Sequence, residues 1–209
     1  MDFRESLKVL AARPADAHAD CEHVKHTEAE QVEQQPGNEA GTELHDEEDE
    51  VSALLNAEAP ALELIRSVLR LQEKRVLIYA EFERGFEVHK KTPEFQAFST
   101  GITSRFAVVS GQINRVEQAL KTDKNLPAVA NLIRKLQEEE KEKLLLTSAV
   151  LIEKMRLADA TNEREPDDST VPFLERSLAT LRAKHQECIS RINDVLDEVR
   201  IEMVELDDE

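Results

Sequence analysis

The sequence predicts an all-α protein, an elongated antiparallel helical bundle or coiled coil of four long helices behind a disordered acidic N-terminal tail. Three observations carry that expectation. Beyond Pro60 the apolar residues recur at steps of three and four along four long segments. The 209 residues include only 5 glycines, 1 tyrosine and no tryptophan, too few turn and strand formers for a sandwich or barrel. Charged residues make up 34% of the chain and lie mostly between the apolar stripes, as on solvated helix faces.

The N-terminal region, 1–59, separates from the rest by charge. It holds 16 acids and 4 bases, a net of −12 out of −17 for the whole chain. Phe3, Leu7 and Leu10 have helical spacing over 2–12, and Pro14 ends that short amphipathic helix. From 14 to 59 low hydrophobicity, Pro36, Gly37, Gly41 and the run Asp46-Glu47-Glu48-Asp49-Glu50 predict a solvated tail. Val51, Leu54 and Leu55 follow it as a small apolar patch.

The helical domain spans 60–206. Its first helix, 60–90, begins at Pro60 and carries the stripe Leu62, Ile65, Leu69, Val76, Tyr79, Phe82 and Phe86. The second, 93–121, starts from Thr92 as a cap with Pro93 in the first turn. Its stripe is Phe95, Phe98, Ile102, Phe106, Val109, Ile113, Val116 and Leu120, with Gly101 and Gly111 as places of close helix approach. The third, 126–158, is capped by Asp123 or Asn125 and has Pro127 in its first turn. Its stripe of Val129, Ile133 and Leu136 resumes at Leu144, Leu145, Leu146, Val150, Leu151 and Met155. Between these lies Gln137-Glu138-Glu139-Glu140-Lys141-Glu142-Lys143, which predicts a solvated waist held by pairs such as Glu139–Lys143.

The fourth helix, 171–206, has the most regular pattern. Leu174, Leu178, Leu181, His185, Cys188, Ile192, Val195 and Val199 step alternately by four and three, a coiled-coil seam. Ile189, Leu196 and Met203 widen it, and Asp167, Asp168 and Ser169 suit its start. Short links after the first and second helices join antiparallel neighbours, and 159–170 is a longer flexible connection.

The same residues argue against most chemistry. No glycine-rich phosphate loop can be assembled from five scattered glycines. His18, Cys21, His23 and His26 have ligand character but sit in a segment with no fold to fix them, so no metal or other cofactor is expected. No serine, cysteine or histidine set suggests a nucleophile, and His185 reads as a polar register position, so the chain is expected not to be an enzyme. Arg66, Arg70 and Lys74 share a face, yet 60–91 holds 7 bases against 5 acids and the chain is strongly acidic, so direct nucleic-acid binding is not expected. Neither a membrane-length apolar run nor a signal-like N-terminus is present, and two cysteines give no disulfide framework. The expected location is nucleus or cytoplasm.

The run Leu71-Gln72-Glu73-Lys74-Arg75-Val76-Leu77-Ile78-Tyr79-Ala80-Glu81-Phe82-Glu83-Arg84-Gly85-Phe86 resembles the opening helix of the "required for excision, B" domain family. The order of the later segments is similar too, with an aromatic-led second helix, a charged third and a long final helix ending in acids, so the resemblance covers about 60–206. It implies a small all-helical protein linked to DNA excision repair and without known catalytic activity. The expected function is then a non-enzymatic adaptor acting through protein contacts, with Arg75, Tyr79, Phe82, Gly85 and Phe86 as candidate partner-contact residues. The alternative is a coiled-coil scaffold or tether unrelated to repair, presenting the seam of the fourth helix.

Overall fold

A computed structural model describes residues 51–162 and 169–208. The helix over 2–12, the His18–His26 cluster, the acidic run 46–50 and most of the connection before the fourth helix lie outside the described residues. The rest is helical, with no strand among the described residues. The long elements are α1 (Ala61–His89), α2 (Phe95–Thr122), α3 (Pro127–Thr161) and α4 (Thr170–Asp207). At 1.5 Å per residue they run from about 42 to 57 Å. Successive helices pack as antiparallel neighbours, α4 lies chiefly along α3, and α4 also touches α1.

The helix ends follow the chain's punctuation with two departures. Pro60 precedes α1 in extended backbone and Pro127 occupies the first turn of α3. Thr92 does not cap α2, which begins at Phe95 after a tight turn. Its hydroxyl donates instead to the His89 carbonyl at the end of α1, 3.2 Å away. Neither Asp123 nor Asn125 caps α3. Asn125 adopts φ 54°, a left-handed turn that asparagine tolerates better than most residues, and Leu126 donates back to Leu120 O at 2.9 Å.

The core is one continuous cluster fed by all four helices. The stripe of α2 is buried nearly throughout. Six seam positions of α4 are also buried, Leu174, Leu178, Cys188, Ile192, Val195 and Val199, while Leu181 and His185 are half-buried. The seam is therefore used inside the chain. On α1 the stripe is rotated from the expected one: Val76 is 58% exposed, while its neighbour Arg75 is 2% exposed. Nor does the core begin at Pro60. Residues 51–56 are helical, and Val51 and Ala59 are buried in the same cluster. Small residues also behave differently from expectation. Gly101 and Gly111 face open space, whereas a Cβ on Gly85 would collide with the Phe98 ring, so Gly85 is where α1 and α2 approach.

Candidate functional site

The seven-residue polar stretch of α3 is not a solvated waist. Glu140 is 4% exposed, Gln137 and Glu139 are half-buried, and only part of the stretch faces water. The helix turns Glu140 inward, where it meets polar residues that α1 carries on its buried face. Gln72 donates from Nε2 to Glu140 Oε1. The Tyr79 hydroxyl lies 3.1 Å from Glu140 Oε2 and 3.2 Å from the Glu140 carbonyl oxygen, and donates its proton to them. Lys143 stands one turn on, with Nζ 3.6 Å from Glu140 Oε1 and 3.9 Å above the Tyr79 ring. The expected Glu139–Lys143 pair is replaced by these contacts and by Arg191, which bonds Glu139 at 2.8 Å and Glu142 at 2.9 Å.

Arg75 completes the layer. It donates to Gln72 Oε1 at 3.1 Å, to Ser110 Oγ at 2.9 Å and to Gln137 Oε1. Gln137 in turn donates to Ser110 O at 3.1 Å and Asn114 Oδ1 at 2.9 Å. All of the guanidinium's named partners are neutral, and Gln72 links it to the Glu140 carboxylate. Three helices are thus joined by one network of charged and amide groups within an apolar core. Burial lowers the Arg75 pKa, opposed by the Glu140 charge. Burial, followed by the Glu140 charge, holds the Tyr79 phenol well above its usual range.

On its α2–α3 side the layer opens to a surface groove of about 440 Å³. Arg75, Tyr79 and Glu140 reach it from within, Phe106, Ser110 and Asn114 line the α2 wall, and Arg134, Gln137 and Lys141 line the α3 wall. Tyr79 stacks at a tilt on Phe106, ring centroids 4.8 Å apart. Arg134 is held by two bonds to Glu117, at 2.8 and 3.0 Å.

The five candidate contact residues therefore divide. Arg75 and Tyr79 reach the groove, while Phe82 and Phe86 are closed in the core and Gly85 serves the α1–α2 approach. Sequence reasoning missed Gln72, Ser110, Gln137 and Glu140. The interruption of the α3 stripe was the available signal, since a polar break in a buried stripe can mark buried partners as well as solvent.

Other clusters resolve into packing. Arg66 pairs with Glu63 at 2.5 Å on the surface. Ligand atoms of Glu139, Glu142 and Cys188 lie within 4.8 Å of one another, but Arg191 already bridges both carboxylates. Burial pushes the Cys188 thiol up to about 11. Among the described residues no helix is long and apolar enough to cross a membrane.

Fold and site together define, among the described residues, an all-helical arrangement with a buried polar layer that opens on a groove lined by Arg134 and Lys141. Residues 63–154 match the family model for DNA repair REX1-B, so the resemblance drawn from Leu71–Phe86 holds. The matched segment takes in α1, α2 and most of α3, including the whole polar layer, and stops short of α4 and of the 60–206 expected. The chain is also similar to the Required for excision 1-B domain-containing protein of Bos taurus, 24% identical over 173 residues, covering 80% of this chain and 89% of that one. No solved structure matches. The name of the matching family model refers to DNA repair.

Proposed function

We propose that this protein is a non-enzymatic helical adaptor in DNA excision repair, acting through protein contacts in the nucleus or cytoplasm. The observation that carries the reading is the family match over the three helices that build the polar layer. The chemistry of the layer supports it. Tyr79 and Cys188 both hold their protons more tightly than usual, the opposite of what an activated nucleophile requires. Glu140 is engaged by Gln72, Tyr79 and Lys143. What the molecule offers a partner is surface: the groove and the exposed apolar residues Val76, Leu77, Ile201 and Val204. The scaffold alternative loses its motive, because the α4 seam is occupied by this chain's own helices.

The test is genetic and biochemical. A strain of the source organism lacking the gene is exposed to ultraviolet light, with and without the wild-type chain restored. The expected result is hypersensitivity that the chain reverses, and normal survival of the null strain overturns the repair role. Purified protein is expected to bind duplex DNA only weakly, and tight, salt-sensitive binding would overturn the adaptor reading in favour of direct DNA contact.

A further inference from the structure

We infer that the α2–α3 groove binds a small amphipathic carboxylate, its charged end in the polar half of the groove and its apolar group in the other half.

The polar half is defined by the hydrogens that the buried layer leaves over. Arg75 donates to Ser110 Oγ at 2.9 Å, so that oxygen accepts and its own O–H is left to donate. Gln137 donates from Nε2 to Ser110 O at 3.1 Å and to Asn114 Oδ1 at 2.9 Å. The Asn114 carbonyl is thereby used, and its Nδ2 hydrogens are left over at an exposed position of the groove wall. Lys141 stands exposed on the facing wall. None of these three donors has an acceptor among the described residues. The acceptors nearby are already engaged. Gln137 Oε1 takes a bond from Arg75, and Glu140 is held by Gln72, Tyr79 and Lys143. Arg134 is paired with Glu117 and adds no open cation. Two neutral donors and one ammonium match a group that only accepts and carries a single negative charge. An ionised carboxylate is such a group.

The other half is apolar. Phe106 and Ala107 on α2 line it together with Leu144 and Leu145 on α3, and the Tyr79 ring packs at a tilt on Phe106. At 1.5 Å per residue the wall from Thr103 to Asn114 is about 16 Å long. The volume of about 440 Å³ falls among small-molecule sites, which run from about 300 to 1,000 Å³. A partner helix would need an apolar strip continuing over several turns, which these four residues do not supply. The scale is therefore that of a small molecule. The net charge of −17 opposes an anion only at long range, because the screening length at physiological salt is about 8 Å. The proposal stands apart from the repair reading and survives its failure.

The test is titration of the nitrogen-15-labelled full chain with decanoate. Heteronuclear NMR reads the Asn114 side-chain amide and the Ser110 backbone amide. Tyr79 emission reads the groove in parallel, because the chain has 1 tyrosine and no tryptophan. The expected result is saturable shifts at Asn114 and Ser110, with the emission changing over the same concentrations. Lys141→Gln should weaken decanoate by about fivefold, the scale of one exposed ion pair, and leave the uncharged analogue decanol unchanged. Ala107→Phe, which fills the apolar half, should weaken both. Both positions are exposed, and circular dichroism checks that helix content is kept. Absence of a saturable shift at Asn114 would overturn the proposal. So would a Lys141→Gln effect that is nil or equal for decanoate and decanol, or an unchanged decanoate affinity in Ala107→Phe. Tighter binding of a short peptide with a carboxy-terminal phenylalanine would overturn it in favour of a protein segment.

Discussion

Replacing Arg75 by methionine tests the central claim, that α1, α2 and α3 are joined by a buried polar layer. The substitution keeps much of the aliphatic stem and removes the charge and its donors. Gln72, Ser110 and Gln137 each lose a donated bond, and Glu140 keeps its charge with one fewer cation near it. Breaking a buried charge arrangement by removing one side costs about 3–5 kcal/mol. For a chain of this size 1 kcal/mol moves Tm by about 2–4 °C, so a fall of roughly 6–20 °C is expected. Glu140→Leu strands the opposite side, with Gln72 and Tyr79 losing their acceptor and Lys143 its partner. The double variant removes both charges, so its loss should be smaller than the sum of the two singles by at least about 1 kcal/mol. Urea denaturation of the four proteins, followed by far-ultraviolet circular dichroism, gives the cycle. A loss below about 1 kcal/mol for Arg75→Met, or strict additivity in the double variant, would refute the reasoning, because neither is compatible with a shared, desolvated network.

The remaining expectations probe other parts of the fold. Gly85→Ala should destabilise by about 1–3 kcal/mol through the clash with Phe98, although alanine favours helix, whereas Gly101→Ala and Gly111→Ala should stabilise by up to about 1 kcal/mol each. Thermal melts of the three would expose an error if they moved together. Ile192→Asp places a lone charge between α3 and α4 and should cost several kcal/mol, with an unchanged melt showing that the seam is not buried. In a Cys21→Ser background, the native Cys188 thiol should react with a disulfide reagent about a hundredfold more slowly at pH 8 than a thiol of ordinary pKa, and unfolding in urea should restore the rate. His185 sits 3.0 Å from Thr147 Oγ1, and burial, with help from Lys143 and Lys154 against Glu83, lowers its pKa. The unfolded chain therefore binds the proton more readily, and stability should fall as pH drops below about 6.5. His185→Gln should flatten that part of the urea-midpoint profile, and an unaltered slope would assign the acid sensitivity elsewhere.

Much of the architecture was legible because it depends on spacing. A stripe such as Phe95 to Leu120 has one way to be buried, and Pro60 and Pro127 mark helix starts whatever packs above them. The α4 seam was equally clear as a seam, but spacing does not say whether its partner belongs to the same chain. The errors on α1 and α3 share one cause. Arg75 and Glu140 are each the wrong residue type for a core, so a pattern of apolar letters puts Val76 in and Arg75 out, and reads 137–143 as exposed on all sides. Their burial is decided by partners on other helices. Gln72 lies 68 residues from Glu140, and Ser110 lies 35 from Arg75, separations that no local window can register. The glycines show the same limit: in sequence Gly85 looks like the end of a helix, and only the Phe98 ring from α2 gives it a purpose.

The placement of the layer also bears on what the protein can present to others. Apolar stripes alone would allow α1 and α3 to slide by a turn, since one leucine or isoleucine fits a hole much as the next does. A layer in which Gln72, Arg75 and Tyr79 must meet Ser110, Gln137 and Glu140 has a single satisfied register, and a one-turn slip would strand several buried polar groups at about 1–3 kcal/mol each. Polar positions in coiled coils fix register in the same way. Here the register they fix is the one that brings Arg134 and Lys141 on α3 opposite Ser110 and Asn114 on α2. The groove is therefore a consequence of the layer. A substitution that relaxes the layer while leaving the helices intact should alter the groove before it alters helix content, and loss of amide protection at Ser110 and Gln137 ahead of any change in circular dichroism would be its signature.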